Sequence, residues 1–503
     1  MVNLVHEYLK QHGPTLSSEI TEYLVKAFKL SPEAARQRVS RTGNGIFRLG
    51  LSFPRRAKFL FLKEQAGSGL YWARLESALL ATNSAYGFAI TALRERDGVM
   101  PKKHFEIACG APIKQKKHLS VDAILNTLKN ANLIKEIHVE GIGTCVYLGL
   151  HTNHIETLIP VMKARIFVEE LMLRGVKSWM RKLGFVSYNQ VAIRTLENNP
   201  TVSTTAWDLA GPSYLSPLIS FGRDGSTPKP GFVVCDILLN HEVSELGIQP
   251  FLQKLNALRS LKNVGKQLCF FLAHSFSEPA FRKLKSLGIS PATTAAIFDN
   301  ETARNLRELT DLLSRVAIQA LNPAKIDMLF DSLGKIEGAA SRLRGALFEY
   351  IIAEAMRSEF AQSVELNRLC KTMNGVKEAD VICTNQKELI FIEGKGYSFN
   401  NQVTAEEINY WLTEQVPIFR AFALTHPDWK DRKMTFEFWT SGVFSDEAID
   451  KLRKAQSNTI KYQIVYKDFR DVLAKIRVSG NKALTKTFID HFINHPLAQL
   501  EKI

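Results

Sequence analysis

The sequence lacks any apolar run close to the roughly 20 residues that a helix needs to cross a bilayer, so no membrane partner is expected. Its six cysteines are scattered without a CxxC pair, which predicts neither a zinc site nor a disulfide framework. No basic segment followed by an apolar stretch opens the chain, so we expect no signal peptide and a cytoplasmic, reducing location. A Walker A loop is also missing, so ATP-driven movement would require a partner ATPase or helicase.

The sequence has fewer acidic than basic residues, and the difference is largest in the N-terminal third. The 503 residues include 65 Lys and Arg but only 50 Asp and Glu, a net charge of +15. Residues 1–150 hold 21 Lys and Arg against 12 Asp and Glu, which accounts for nine of those fifteen charges. A basic N-terminal third predicts a polyanionic partner, most simply nucleic acid. The length exceeds what one hydrophobic core supports, so three or four domains are expected.

The first 66 residues read as three helices followed by two strands. Helical patterns lie at 1–12, 16–28 and 33–41, and the pair Ser31-Pro32 is a typical helix start. This order resembles a winged helix-turn-helix, whose third helix enters the DNA major groove. The resemblance implies contacts to DNA from the third helix and from the wing, at Arg36, Gln37, Arg38, Ser40, Arg41, Arg55, Arg56 and Lys58.

Residues 67–155 repeat this plan. Helical signals cover 75–93 and 121–132, a short element lies at 99–109, and a hairpin is predicted over 133–148. A second winged helix is the interpretation, and it implies DNA contacts from three lysines before the last helix, Lys114, Lys116 and Lys117. Winged helices also mediate protein–protein contacts, which stays the alternative for both units.

Two apolar runs in the C-terminal third bring two acids and a lysine together. The strand-like residues 379–383 and 389–395 are separated by a polar turn, which predicts a β-hairpin. A hairpin symmetric about its turn places Asp380 opposite Glu393, with Cβ atoms roughly 4.5–5.5 Å apart. Side chains alternate along a strand, so Glu393 and Lys395 share a face. Two carboxylates this close favour a cation between them, and Mg²⁺ takes one or two carboxylates plus a substrate phosphate.

The spacing of Asp380, Glu393 and Lys395 resembles the D-x(n)-E-x-K core of the PD-(D/E)XK, or restriction-endonuclease-like, nuclease superfamily. A helix with a further acid often precedes that hairpin in this family, and Glu349 within residues 345–354 stands in the expected place. Ala379 departs from the pattern, because the family often has proline there. The alternative is a surface hairpin with a salt bridge.

The resemblance implies metal-assisted hydrolysis of phosphodiesters. The cofactor would be Mg²⁺, with Mn²⁺ as a substitute, and Lys395 would position the attacking water. The residues assigned to catalysis are Asp380, Glu393, Lys395 and Glu349, and those assigned to the metal are Asp380, Glu393, the carbonyl of Gly394 and Glu349. Gln415, on a predicted helix over 406–420, is a weaker accessory candidate.

Two distant segments are alike, 276–284 and 444–452, at an offset of 168 residues. Each follows an apolar strand and precedes another predicted strand, at 295–298 in the first copy, which indicates duplication of an α/β domain. In the first copy Asp236 and Asp208 match Glu393 and Asp380. The position of Lys395 is taken by Leu238, so this copy is expected to be catalytically dead. Its loop carries Arg223 and Lys229, which either touch a phosphate backbone or are simply solvated.

Together these patterns predict a multidomain α/β plus α+β chain. Tandem winged helices at 1–66 and 67–155 precede a degenerate nuclease-like domain at 156–325 and a catalytic domain at 326–503. The expected function is Mg²⁺-dependent cleavage of double-stranded DNA, with a restriction or anti-phage role by analogy of architecture. Cleavage of both strands favours a homodimer. The alternatives are a non-catalytic DNA-binding regulator, a repair or transposition nuclease that acts with a partner, and an RNA nuclease.

Overall fold

The computed structural model describes residues 3–41, 43, 45–187, 189–221, 228–261, 264–314, 323–334, 336, 339–360, 363–397 and 401–493. Arg223 lies outside these residues. The chain divides into two compact units, Met1–Met162 with Trp179–Ile297, and Lys163–Ser178 with Phe298–Ile503. This division is coarser than the four predicted domains, whose boundaries stay a prediction. The structure is mixed α/β, as predicted.

The first module contains three helices and a three-stranded sheet. In chain order these are α1 (Leu4–His12), β1 (Thr15–Leu16), α2 (Ser17–Phe28), α3 (Pro32–Ser40), β2 (Ile46–Arg48) and β3 (Phe59–Leu62). Asn3 caps α1, and Ser31 caps α3 by accepting the N–H of Ala34, with Pro32 as first residue. The sheet order is β1-β3-β2. The two-residue strand β1 is too short for a sequence pattern to reveal.

The second module follows the same order of elements after one additional helix. Its elements are α4 (Gly69–Ala81), α5 (Ala85–Arg94), β4 (Val99–Pro101), α6 (Lys102–Ala108), α7 (Val121–Asn130), β5 (Ile134–Val139) and β6 (Gly143–Leu148). Residues 75–93 are largely helical, as predicted, but they belong to two helices with a break at 82–84. Asn83 adopts a positive φ of 47°, and Ser84 caps α5, so the helix ends and restarts there. The sheet order is β4-β6-β5.

A five-stranded sheet forms the middle of the chain. The elements of this part are α8 (Ile155–Lys182), β7 (Ala192–Ile193), β8 (Thr201–Val202), β9 (Thr205–Ala206), β10 (Leu209–Ser213), β11 (Ser220–Phe221), β12 (Pro228–Lys229), β13 (Gly231–Val243), α9 (Glu245–Arg259), β14 (Gln267–Phe276), α10 (Glu278–Ser286), β15 (Ile289–Thr293), α11 (Thr294–Ile297) and α12 (Asn300–Leu313). The strand predicted at 295–298 is wrong: those residues are largely helix α11, and the strand is β15. Pro291 hides that strand in the sequence, but an edge strand tolerates proline.

The C-terminal part holds the second five-stranded sheet. Its elements are α13 (Pro323–Leu333), α14 (Ala339–Phe360), β16 (Val364–Thr372), β17 (Gly375–Thr384), β18 (Glu388–Lys395), β19 (Gln402–Val403), α15 (Ala405–Tyr410), a π-helical turn (Trp411–Gln415), α16 (Val416–Thr425), β20 (Lys433–Thr440), β21 (Val443–Phe444), α17 (Asp446–Asn458), β22 (Gln463–Lys467), α18 (Phe469–Val478) and α19 (Lys482–Phe488). Apolar side chains of the strands, such as Phe391 and Phe436, are buried against the crossover helices.

The two five-stranded sheets share one topology, as a domain duplication predicts. The orders are β15-β14-β13-β10-β7 and β16-β17-β18-β20-β22, read from opposite edges. In each, the central strand pairs antiparallel with the strand before it and parallel with the strand after its crossover helix. Searching the described residues gives no helix with the length and apolar character needed for a membrane span.

Candidate active site and nucleic-acid interface

The hairpin β17–β18 has the symmetric register predicted from the sequence. Val381 pairs with Ile392, so the residues one step further along, Asp380 and Glu393, come opposite each other. The side chain of Asn385 closes the turn by accepting two backbone N–H groups, which lets both strands run closer to the turn than expected. The register, and with it the meeting of the two acids, therefore follows from the turn chemistry.

Five of the predicted site residues take part in hydrogen bonds with one another. Lys395 Nζ lies 2.7 Å from Glu393 Oε1, and the backbone N–H of Gly394 donates to Asp380 Oδ2 across 2.8 Å. Gln415 Nε2 donates to the second oxygen of Glu393 at 3.1 Å. Glu393 is only 5% exposed, whereas a third of the Lys395 side chain, 34%, is open to solvent. The acids are thus held in place, while part of the Lys395 side chain is open to solvent.

Two glycines let helix α14 approach the end of β18. A Cβ atom on Gly396 would lie 2.2 Å from the carbonyl oxygen of Arg344, and one on Gly394 would lie 2.7 Å from Ile352 Cδ1. The same position at Gly394 is 3.8 Å from Glu349 Cγ. Helix α14 therefore brings Glu349 to the strand end, as the family resemblance implies, and no side chain fits between them.

Three acidic side chains, Asp380, Glu393 and Glu349, share this cluster with the single ammonium group of Lys395. Burial, and next the charge of Glu393, raise the pKa of Asp380 to about 8. Burial and the neighbouring Asp380 likewise raise the pKa of Glu349 well above its ordinary value. Burial opposes the charge of Lys395, but the carboxylates of Glu393 and Asp380 outweigh it, so the pKa of the ammonium is raised. Burial and the neighbouring carboxylates therefore favour the protonated forms of Asp380 and Glu349, and a divalent cation between the acids would favour the ionised forms.

Sequence reasoning missed two residues next to the cluster. Glu378 lies two residues before Asp380 on β17, and its charge contributes to the raised pKa values of Asp380 and Glu349. Alternation along the strand was the signal that could have identified it. Lys163 of α8 forms an ion pair with Glu378. Its separation of 215 residues leaves no sequence signal for that contact.

The residues present fit a hard divalent cation held by two carboxylates. Among the described residues, no three His, Cys, Asp or Glu side chains are arranged to hold a metal ion. Mg²⁺, however, needs only one or two protein carboxylates, because it keeps several waters and shares a substrate phosphate. Asp380 and Glu393 supply those carboxylates, and each carboxylate oxygen has more than one acceptor direction. The burial of several acids beside one ammonium, which raises the pKa values of Asp380 and Glu349, is the observation that favours a cation here.

Gln415 enters the site because its helix is distorted. The regular helix predicted over 406–420 is interrupted by the π-helical turn Trp411–Gln415. Pro417 has no N–H to donate to the preceding turn, which accounts for the wider turn just before it. Gln415 is 7% exposed and points at Glu393 instead of the surface. Single π-helical turns are frequent at functional sites.

The first module carries a basic groove of about 680 Å³. It runs between α2, α3 and the turn Pro54–Arg56, and its charged lining residues are Arg36, Arg48, Arg55, Arg56, Lys58 and Glu22. Arg48 was missed by sequence reasoning. Arg55 and Arg56 both adopt left-handed backbone, with φ of 55° and 60°, a conformation that costs a non-glycine residue about 1–3 kcal/mol. Strain of this kind often marks binding sites.

The predicted DNA-binding residues divide into two groups. Arg36, Ser40, Arg55, Arg56 and Lys58 line the groove together. Gln37, Arg38 and Arg41 are exposed on or just after α3 but do not line it. Some groove side chains already form hydrogen bonds: Ser40 Oγ donates to the carbonyl of Gln37, and Arg48 donates to the carbonyl of Ser40 across 2.6 Å.

The lysines of the second module lie on an anchored loop. Lys114, Lys116 and Lys117 are exposed between α6 and α7. Gln115, among them, donates to the carbonyl of Ala257 at 3.0 Å and accepts from Thr204. The loop is therefore fixed to the middle part of the chain, while its three ammonium groups face solvent.

Neither a protein-family model nor a curated protein matches this sequence. Among solved structures, the chain is similar to restriction endonuclease FokI, at 11% identity over 92% of this chain and 82% of that chain, with a TM-score of 0.19. For FokI bound to DNA the identity is 11%, the coverage 91% and 80%, and the TM-score 0.20. Scores this low assign no residues, so the roles of this chain's side chains follow from its own geometry.

Proposed function

We propose that this protein is a Mg²⁺-dependent DNA endonuclease, with Mn²⁺ as a substitute, and that residues 326–503 are its catalytic domain. The observation that carries the proposal is the convergence of Asp380, Glu393 and Lys395 at the end of β18, with Glu349 brought there by α14. Two carboxylates that can hold a divalent metal, with an ammonium group beside them, are suited to metal-assisted hydrolysis of a phosphodiester.

Each residue has a distinct task in this proposal. Asp380, Glu393 and the carbonyl of Gly394 would hold the metal, with Glu349 as a further acid beside them. The bound metal would supply Lewis-acid stabilisation of charge on the phosphate. Lys395, partly open to solvent, donates hydrogen bonds that orient a water or a phosphate oxygen at the site. Gln415 positions the Glu393 carboxylate by fixing its second oxygen.

We assign DNA binding to a winged helix-turn-helix in the first module, with duplex DNA as the substrate. Five cations face the groove against a single acid, Glu22, which suits a phosphate backbone. The backbone N–H of Ser17 donates to the carbonyl of Lys58, and the N–H of Lys58 donates to Ser17 Oγ, so the start of α2 is tied to the wing. By analogy of architecture we place the activity in restriction or anti-phage defence, and a homodimer would allow both strands to be cut.

The test is cleavage of supercoiled plasmid, linear duplex and single strands, with Mg²⁺ or with EDTA. We expect nicking or linearisation with Mg²⁺ and none with EDTA. Lys395→Met should lower the cleavage rate by about 10²-fold or more while DNA binding in a gel shift is retained. Lys387→Met, in the exposed hairpin turn, is the matched control and should cleave normally. Unchanged cleavage by Lys395→Met would reject the assigned site.

A non-catalytic DNA-binding regulator is the second candidate. The observation in its favour is that both oxygens of Glu393 already accept hydrogen bonds, from Lys395 and from Gln415. A carboxylate with both oxygens hydrogen-bonded can stabilise the fold without binding a metal. The same plasmid experiment separates the two functions, because a regulator binds DNA equally well with Mg²⁺ or EDTA and leaves it intact.

A further inference from the structure

The middle sheet holds a second acid pair with the same backbone geometry. Leu209 pairs with Cys235 between β10 and β13, so Asp208 comes opposite Asp236 one residue further on. The N–H of Ile237 donates to Asp208 Oδ2 across 2.7 Å. This bond corresponds to the one from Gly394 to Asp380, since each donor directly follows the second acid of its pair. The two sheets thus present two acids in one arrangement.

An ammonium group already sits on this pair. Lys254 Nζ lies 2.5 Å from Asp236 Oδ2 and 3.0 Å from each of the carbonyl oxygens of Ile107 and Ala206. An ammonium has three protons, and these three acceptors take all of them. The face of Trp207 also lies 4.1 Å away, and Lys254 is fully buried. Lys254 is therefore unable to orient water or a phosphate.

Lys254 does not replace the lysine of the C-terminal site. The position of Lys395 is occupied by Leu238, which is buried and apolar, as the sequence showed. Lys254 instead lies on α9, the crossover helix between β13 and β14. The corresponding crossover between β18 and β20 carries Gln415, which donates to Glu393 as Lys254 donates to Asp236. The sequence predicted that this copy has no ammonium group beside its acids. That prediction is wrong, because Lys254 of α9 supplies an ammonium from a different element.

We propose that Lys254 stands where a divalent cation would bind, so that the acid pair of the middle sheet is a metal site closed by the protein's own ammonium. The charges balance without a metal, because Arg194 lies 2.5 Å from Asp208 and Lys254 neutralises Asp236. Arg96 adds a bond to the carbonyl of Ile237 at 3.1 Å. The inference rests on the proposed function, because the likeness to the C-terminal acid pair is the reason to expect a divalent cation, Mg²⁺ or Mn²⁺, at this place.

This closed site has a structural task. Ile107 lies near the end of α6, and its carbonyl bond to Lys254 ties the second module to the middle sheet. A buried ammonium that joins a carboxylate to two carbonyls holds three chain segments together without an ion from solution. Of the two acid pairs in the described part of the chain, the C-terminal one is then the pair left open for cleavage.

The test restores the arrangement of the C-terminal site. Lys254→Gln replaces the ammonium by the amide that Gln415 provides there, and Asp380→Asn weakens the C-terminal site. Mn²⁺ stoichiometry is measured by electron paramagnetic resonance for the full-length wild type, each single variant and the double variant, all purified with Mn²⁺. We expect Lys254→Gln to add one Mn²⁺ per chain in both backgrounds, and Asp380→Asn to remove one in both.

The two effects are independent, so this inference and the proposed function fail separately. The inference is overturned if Lys254→Gln melts cooperatively and yet binds no additional Mn²⁺. This holds whether or not Asp380→Asn removes an ion. If Lys254→Gln unfolds in EDTA, recovery of the fold with Mn²⁺ supports the inference, and failure to recover overturns it. Adding Asp236→Asn to Lys254→Gln is the control, and it should abolish the gained ion.

Discussion

Gln415 donates a hydrogen bond to Glu393 across 3.1 Å, from a π-helical turn that aims its side chain at the strand end. Glu393 thereby has one oxygen fixed by an amide and the other by the ammonium of Lys395. The orientation of this carboxylate depends on a crossover helix that is 22 residues away in the sequence.

Replacing Gln415 by alanine should therefore lower cleavage through loss of carboxylate orientation. Outer-shell partners of this kind typically contribute about 10- to 100-fold in metal affinity or activity. We expect the Mg²⁺ concentration for half-maximal cleavage to rise by about that factor, with DNA affinity unchanged. Glu414→Gln, on the exposed neighbour, should leave the Mg²⁺ dependence as in the wild type. A variant that loses rate equally at all Mg²⁺ concentrations would contradict the positioning role.

Asp380→Asn should separate the effect of the Asp380 charge on stability from its effect on metal binding. Burial, and next the charge of Glu393, raise the pKa of Asp380, so the wild type loses stability by keeping this acid in the fold, and the metal-free variant should melt at a higher temperature. Mg²⁺ at about 100 times its Kd should stabilise the wild type by about 2.7 kcal/mol and the variant much less. Calorimetry with Mg²⁺ or EDTA measures both effects. An equal Mg²⁺ response in the two proteins would exclude Asp380 as a ligand.

Gly396→Ala should destabilise the protein, because the added Cβ would meet the carbonyl oxygen of Arg344 at 2.2 Å. Backbone cannot move aside as a side chain can, so we expect a loss near 3 kcal/mol, the upper part of the ~1–3 kcal/mol range for overpacking. Gly345→Ala is the matched control within α14, because nothing lies within 4 Å of its Cβ position. It should stabilise by about 0.5–1 kcal/mol. Urea unfolding of both variants checks the contrast.

Arg55 and Arg56 provide a test of the groove as the DNA-binding surface. A plot of log affinity against log salt concentration has a negative slope. Replacing both arginines by alanine should reduce the magnitude of this slope by about two, one for each lost phosphate contact. Glycine at both positions should reduce this magnitude equally but raise stability, since left-handed backbone suits glycine. Arg38→Ala, exposed on α3 outside the groove, should leave the slope unchanged. A large effect of Arg38→Ala on the slope would show that DNA phosphates also contact the face of α3 outside the groove.

The sequence alone determined the local structure around the site. The turn closed by Asn385 fixes the hairpin register, which sets Asp380 opposite Glu393. Alternation along β18 puts Glu393 and Lys395 on one face. Both relationships were therefore predictable from the spacing of the residues in the sequence. The helix starts at Ser31 and the apolar strands of the C-terminal sheet are equally local features. The repeated segments also indicated that the two sheets share a topology.

Only the tertiary structure decided which distant residues complete these arrangements. Gln415 reaches Glu393, Lys163 reaches Glu378 and Lys254 reaches Asp236 from helices that pack on the sheets, and periodicity carries no information on such contacts. The physical reason is that hydrogen bonds along a strand or turn depend on spacing in the chain. Contacts between elements depend on how helices pack, which places an amide over one acid pair and an ammonium over the other.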